Sequence, residues 1–112
     1  MLYSYLDEDY SLMYVTCSKL DEAKEIAKTL VEEKLAACVS IIPDIISVYR
    51  WDGKVHQEGE VLLKIKTRES LFTEVSEKIM ELHSATLPEI ISVEIQDATD
   101  DYKKWLFDET DK

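Results

Sequence analysis

The dipeptide Asp52-Gly53 separates two long stretches in which apolar residues recur with period two, and this constrains the fold more than any other feature. Ahead of it run Cys38-Val39-Ser40-Ile41-Ile42 and Ile45-Ile46-Ser47-Val48-Tyr49-Arg50-Trp51; behind it comes Val61-Leu62-Leu63-Lys64-Ile65. Aspartate and glycine both tolerate positive φ, so the pair predicts a tight turn joining two strands into a long antiparallel hairpin. Val61, Leu63 and Ile65 share one face of the second arm, with Glu60, Lys64 and Lys66 on the other. Pro43-Asp44 interrupts the first arm and predicts a bend or bulge, since proline has no N–H for a central ladder.

Helical spacing flanks this hairpin. Leu12 to Thr16 is a short strand rich in β-formers, after which Ala23, Ile26, Ala27, Leu30 and Val31 form one helical stripe opposite Lys24, Glu25, Lys28, Glu32 and Glu33. Asp21 and Glu22 in the first turn and Lys34 at the end suit the helix dipole. A second stripe, Leu71, Phe72, Val75, Ile79 and Leu82, starts near Ser70. Pro88 then opens a strand from Glu89 to Ile95, with Ile91, Val93 and Ile95 expected to face inward. A last helix runs from about Asp100, with Tyr102, Trp105 and Leu106 as its expected buried edge.

The order β-α-β-β-α-β plus a terminal helix predicts an α+β, ferredoxin-like split βαβ sandwich. At 112 residues the chain has room for one core; residues 1–11 read as an amino-terminal extension and 12–112 as a single domain. Both helices of such a fold cover one sheet face. Ile41, Ile45, Leu62 and Ile90 are the apolar candidates for the second face, which an oligomer would cover.

Acidic residues number 24 against 13 basic ones, a net charge of −11, and the cations are interleaved with acids. Nucleic acid needs clustered Lys and Arg, so it is not an expected partner. No run approaches the ~18 consecutive apolar residues of a membrane span. The start, with three acids at Asp7-Glu8-Asp9 and no basic opening, does not resemble a signal peptide. Two widely separated cysteines, Cys17 and Cys38, make neither a CxxC motif nor a disulfide framework. A reducing, cytoplasmic setting is expected.

One family carries the same residues in the same order: Ile26-Ala27, then Val31-Glu32-Glu33-Lys34-Leu35-Ala36-Ala37-Cys38-Val39 with Pro43, Tyr49-Arg50-Trp51-Asp52-Gly53-Lys54, and Glu60-Val61 through Lys64-Ile65-Lys66-Thr67-Arg68. Leu82-His83, Pro88-Glu89-Ile90-Ile91 and Asp101-Tyr102 with Trp105-Leu106 complete the pattern. The chain resembles the CutA family, small proteins associated with divalent-cation tolerance, over roughly residues 12 to 110. The resemblance implies a homotrimer in which long hairpins extend sheets between subunits, a pocket near each interface, and binding of divalent cations, copper (Cu2+) above all, with no chemical reaction. Three departures stand out. His83-Ser84-Ala85-Thr86-Leu87-Pro88-Glu89 replaces the family's His-Pro-Tyr-Glu-x-Pro-Glu; the loop Thr16 to Asp21 lacks the usual proline and carries a cysteine; and Met1 to about Ser11 has no counterpart.

His83, at the end of an apolar helix stripe, is the first candidate metal ligand, since imidazole suits copper or zinc. Cys17 and Glu89 are its candidate co-ligands. Cys17 falls between strand and helix, where access and a helix amino terminus favour thiolate. Cys38 is expected to be a small buried thiol, and His56 a solvated polar residue. Tyr49, Trp51, Glu60 and Lys66 form a candidate ligand pocket, two rings on one face with a carboxylate and an ammonium on the paired strand, and Tyr102 joins them. The same mixture also suits a subunit interface. Lys66 in that position would anchor an anionic group.

A metal-responsive trimer is therefore the leading expectation. A PII-like trimeric signalling protein that binds a small metabolite and reports to a partner is the alternative, although two Gly and two Arg leave no phosphate cradle. No Ser/His/Asp, HExxH or CxxC arrangement suggests an enzyme.

Overall fold

Asp52 and Gly53 take φ values of 54° and 75°, the two positive-φ residues of a primed hairpin turn, and Trp51 pairs with Lys54 directly across it. The computed structural model describes residues 3–111. Its elements are β1 (Tyr10–Cys17), α1 (Leu20–Glu32), β2 (Cys38–Trp51), β3 (Lys54–Arg68), a short 3-10 turn (Glu69–Leu71), α2 (Phe72–Leu82), β4 (Ile90–Ile95) and α3 (Asp100–Glu109). The sheet order is β2-β3-β1-β4 with every neighbouring pair antiparallel, which is the expected ferredoxin-like α+β arrangement. The β2–β3 hairpin gives the molecule its long axis of 54 Å, against 25 and 22 Å in the other directions.

The core lies between one sheet face and helices α1 and α2. Met13, Val15 and Cys17 of β1 and Val61, Leu63 and Ile65 of β3 meet Ala23, Ile26, Ala27 and Leu30 of α1 and Val75 and Ile79 of α2. A second, smaller cluster joins Tyr10, Ala37 and Leu106, and seats α3 on the end of the sheet. Helix α1 stops in a Schellman motif: Leu35 N–H donates to Leu30 O at 2.9 Å and Lys34 N–H to Val31 O at 3.1 Å, while Lys34 takes φ 59° where glycine is usual.

Pro43 and Asp44 together oppose Val61, because Ile42 pairs with Leu62 and Ile45 with Glu60. This one-residue bulge inverts the alternation of β2. Before it, Cys38, Ser40 and Ile42 share the face of Lys66, Lys64 and Leu62; beyond it, Ile45, Ser47, Tyr49 and Trp51 do. Tyr49 and Trp51 owe their facing to those two residues.

Several side chains face otherwise than the spacing predicts. Ile41 pairs with Leu63 and Ile90 with Val15, so both pack against the helix-side core and only Leu62 and Ile45 of the four candidates lie on the second face. Ile91 and Val93 pair with Tyr14 and Leu12 on that second face and stand half exposed instead of pointing inward. Only Leu106 of the α3 edge is buried; Tyr102 and Trp105 lie open. Strand β1 begins at Tyr10, ahead of Leu12, because Tyr10 and Ser11 pair on both sides with β3 and β4.

The segment before β1 is tied down through Arg68. Its guanidinium donates to Thr110 Oγ1 (2.8 Å) and Phe107 O (2.7 Å), meets Glu8 Oε2 at 3.3 Å and lies 3.9 Å from the centre of the Phe107 ring. Tyr10 Oη donates to Tyr5 O at 2.8 Å, and Glu69 N–H to Asp9 O at 2.9 Å.

Candidate functional site

The inner end of the site is made where β1, the start of α1 and the end of α2 meet. Cys17 closes β1, Glu22 stands in the first turn of α1, and His83 caps α2 by donating its N–H to Ile79 O at 2.8 Å. One ligating atom from each, thiol sulfur, carboxylate oxygen and imidazole nitrogen, lies within 4.8 Å of the others. His83 Nε2 is 2.7 Å from Thr16 O, which can only accept, and Nδ1 accepts from Ala85 N–H at 3.0 Å. The ring is therefore the Nε2–H tautomer, with Nδ1 turned toward Glu22 Oε1 at 3.5 Å.

Glu22 also holds the loop. Its two oxygens accept from Ser84 N–H at 2.7 Å and Ser84 Oγ at 2.8 Å, so the serine that stands where the family has proline latches the loop onto α1. Cys17 is fully buried, not accessible as its place beside the loop suggests, because it faces the core opposite Val61. Burial, reinforced by the charges of Glu22 and Glu60, pushes its thiol up to about 11.

A cleft of about 660 Å³ opens outward from this cluster, between the loop 83–89 and the face of the hairpin. Tyr49, Trp51, Glu58 and Glu60 form its hairpin wall, and Thr86, Leu87, Pro88 and Glu89 the loop wall. Glu89 thus lies on the same cleft as His83 but outside the Cys17–Glu22–His83 cluster. Tyr49 stacks on His56, with ring centres 5.4 Å apart, and its phenol is raised by hydrogen bonding to Glu58, then by burial. His56, expected to be merely solvated, braces this wall and bonds Trp51 O through Nε2 at 3.2 Å.

Lys66 and Tyr102 do not join this constellation. Lys66 lies six positions along the strand from Glu60, about 20 Å at the rise of a β-strand. Lys66 pairs with Cys38, its Nζ 3.9 Å from the half-buried Cys38 Sγ and 6.0 Å from the centre of the Tyr102 ring. Cys38 is not a core thiol, since Ala36 and Ala37 take the buried positions before it. Glu22 was hidden in the sequence, where an acid in a first helical turn needs no further explanation; nothing local ties it to a histidine 61 positions later.

This fold and cleft define a small ferredoxin-like domain in which a thiol, an imidazole and a carboxylate meet at the root of an acidic, aromatic-walled cleft. The model of the CutA1 divalent ion tolerance protein matches residues 11–109, and the chain belongs to that family. It is 45% identical over 105 residues to the protein CutA homolog of Xenopus laevis, covering 94% of this chain and 70% of that protein. It is 40% identical over 99 residues to the divalent-cation tolerance protein CutA of Thermus thermophilus, covering 88% and 96% respectively. The crystal structure of CutA1 from Oryza sativa superposes with a TM-score of 0.91 at 40% identity, over 94% of this chain and 96% of that one. Relatives are named for different compartments, chloroplastic in Arabidopsis thaliana, where this chain spans 54% of the protein, and periplasmic in Archaeoglobus fulgidus. Among the described residues no helix is long and apolar enough to cross a membrane.

Proposed function

We propose that this chain is the subunit of a homotrimer that binds a divalent transition cation, copper(II) above all, and serves tolerance of such ions without catalysing a reaction. The convergence of Cys17, Glu22 and His83 within 4.8 Å carries the reading. Thiolate, imidazole and carboxylate together suit copper or zinc better than calcium or magnesium. His83 is already set as a ligating histidine would be. Its Nε2–H donates to a backbone carbonyl, which fixes the tautomer and leaves Nδ1 as the donor. Binding requires Nδ1 to give up the Ala85 N–H and Cys17 to lose its proton, so metal uptake releases a proton and shifts the loop at Ser84-Ala85. Glu89 faces the cleft from which the ion arrives.

The trimer is supported by Ile91 and Val93, apolar and half exposed on the second sheet face, and by the hairpin that runs beyond the helices with Ile46, Val48 and Val55 uncovered. A reducing cytoplasm suits the free thiols of Cys17 and Cys38. Native mass spectrometry with added Cu(II) or Zn(II) tests both parts at once: three 13.0 kDa chains with metal retained are expected, and Cys17→Ala or His83→Ala should lose the metal but keep the trimer. A monomer refutes the assembly. Metal retained equally by both variants refutes the site.

A further inference from the structure

We infer that Ser84 and Ala85 form a latch that competes with the metal ion for Glu22 and His83, which sets the threshold for binding and makes the loop after α2 report occupancy. The inference rests on the metal reading above and concerns its regulation. Every contact of the latch is made within one chain. The cluster gathers at the ends of β1 and α2 and the start of α1, on the side of the sheet where Cys17 faces the helices, so it does not depend on what covers the second face.

The His83 side chain is 4% exposed and that of Glu22 14%, and among the described residues no lysine or arginine pairs with this carboxylate. Loop donors meet its charge instead. Ser84 N–H donates to Oε1 at 2.7 Å and Ser84 Oγ to Oε2 at 2.8 Å, so one residue engages both oxygens. Ala85 N–H donates to His83 Nδ1 at 3.0 Å. A neutral imidazole has a single acceptor nitrogen, and Nε2 carries the proton given to Thr16 O, so Nδ1 cannot hold the Ala85 amide and ligate an ion together. Ligation therefore needs that amide to leave. Ser84 opposes its departure, because two hydrogen bonds to one carboxylate fix the residue whose ψ angle places the Ala85 amide, and bonds to a charged acceptor are the stronger kind. Glu22 Oε1, which lies 3.5 Å from Nδ1 on the side where an ion would be shared, is the oxygen that the Ser84 amide holds.

Zn(II) is the probe, since it has no redox chemistry that would oxidise the thiol. In calorimetry on the full chain, Ser84→Ala, which keeps the amide but loses the hydroxyl, should bind Zn(II) about threefold more tightly, and Ser84→Pro, which loses both donors, about tenfold. His83 has φ −83° and ψ 137°, extended backbone of the kind found before proline, so the second change fits after it. If Ser84 served only to hold Glu22 in place for the ion, both variants would bind more weakly. Residue-resolved amide exchange gives a second readout. Saturating Zn(II) should speed exchange at Ala85 by at least about threefold in the unchanged chain, because its N–H loses its acceptor. Affinity raised in neither variant, or exchange at Ala85 unchanged or slowed by bound Zn(II), overturns the latch and leaves the metal site standing. No Zn(II) binding, or binding untouched by both Cys17→Ala and His83→Ala, refutes the site itself and the latch with it.

Discussion

Replacing Arg68 by methionine should be among the most damaging single changes outside the apolar core. The guanidinium side chain is 13% exposed and its partner Glu8 7%, so the pair is largely out of water. Methionine keeps most of the aliphatic bulk over Phe107 but leaves the Glu8 carboxylate buried without its cation, and breaking such a pair costs about 3–5 kcal/mol. The hydrogen bonds to Phe107 O and Thr110 Oγ1 disappear with it, although Thr110 still donates to Leu106 O at 2.7 Å. That loss is a large part of the 5–15 kcal/mol typical of a whole domain. Glu8→Gln should cost only about 1–2 kcal/mol, because Arg68 retains α3 and the Phe107 ring. The double variant should cost less than the sum, since removing both charges leaves neither stranded. Urea unfolding followed by tryptophan fluorescence, at one fixed subunit concentration, gives all three values. A cost below about 1 kcal/mol for Arg68→Met is what a surface ion pair gives, and would refute the clasp.

Lys34→Gly should stabilise the fold by up to about 1 kcal/mol, read in the same urea assay, since it relieves a non-glycine residue at φ 59°. Ile65→Ala, at a fully buried position between β1 and β2, should cost about 2–5 kcal/mol in that assay. Stability should fall as pH rises above 9. Cys17 is raised from 9.0 to about 11 and Tyr10 from 10.0 to about 12, both chiefly by burial, so the native state holds protons that the unfolded chain releases. That contribution is complete below pH 9 and lost by about pH 12, and Cys17→Ala should flatten its lower half in a pH series of melting curves. Ser84→Ala should speed amide exchange at Ser84 and Ala85 by releasing the loop from Glu22, measured by hydrogen–deuterium exchange.

The elements themselves were legible because each obeys one period. The α1 stripe buries Ala23, Ile26, Ala27 and Leu30 as spaced, and β3 alternates with Val61, Leu63 and Ile65 inward. Val31 falls off the buried arc and is 43% exposed. Strand β4 misled for a different reason. Ile90, Ile91, Val93 and Ile95 are apolar at both parities, so the pattern cannot choose a face, and pairing of Val15 with Ile90 makes the choice. Two apolar faces on one strand are also what a sheet carries when helices cover one side and something else covers the other.

The site was legible only where its residues are neighbours along one strand. Tyr49 and Trp51 are two apart and share a face whatever the register, so their company was secure. Whether Glu60 or Lys66 joined them depended on pairing, and pairing depends on the turn. With Trp51 opposite Lys54, the register counts back to Tyr49 against His56 and Ile45 against Glu60 and, through the extra residue at Pro43-Asp44, to Cys38 against Lys66. Asp52-Gly53 therefore decides that the rings share the face of Lys54, His56, Glu58 and Glu60, with Lys66 farther along the strand beyond the bulge. A two-residue primed turn leaves no other register, and in an unbulged strand the residues that carry Tyr49 and Trp51 would have opposite parity to Ile42. The company that Tyr49 and Trp51 keep with Glu58 and Glu60 follows from the turn, and their sharing a face with Ile42 follows from the bulge.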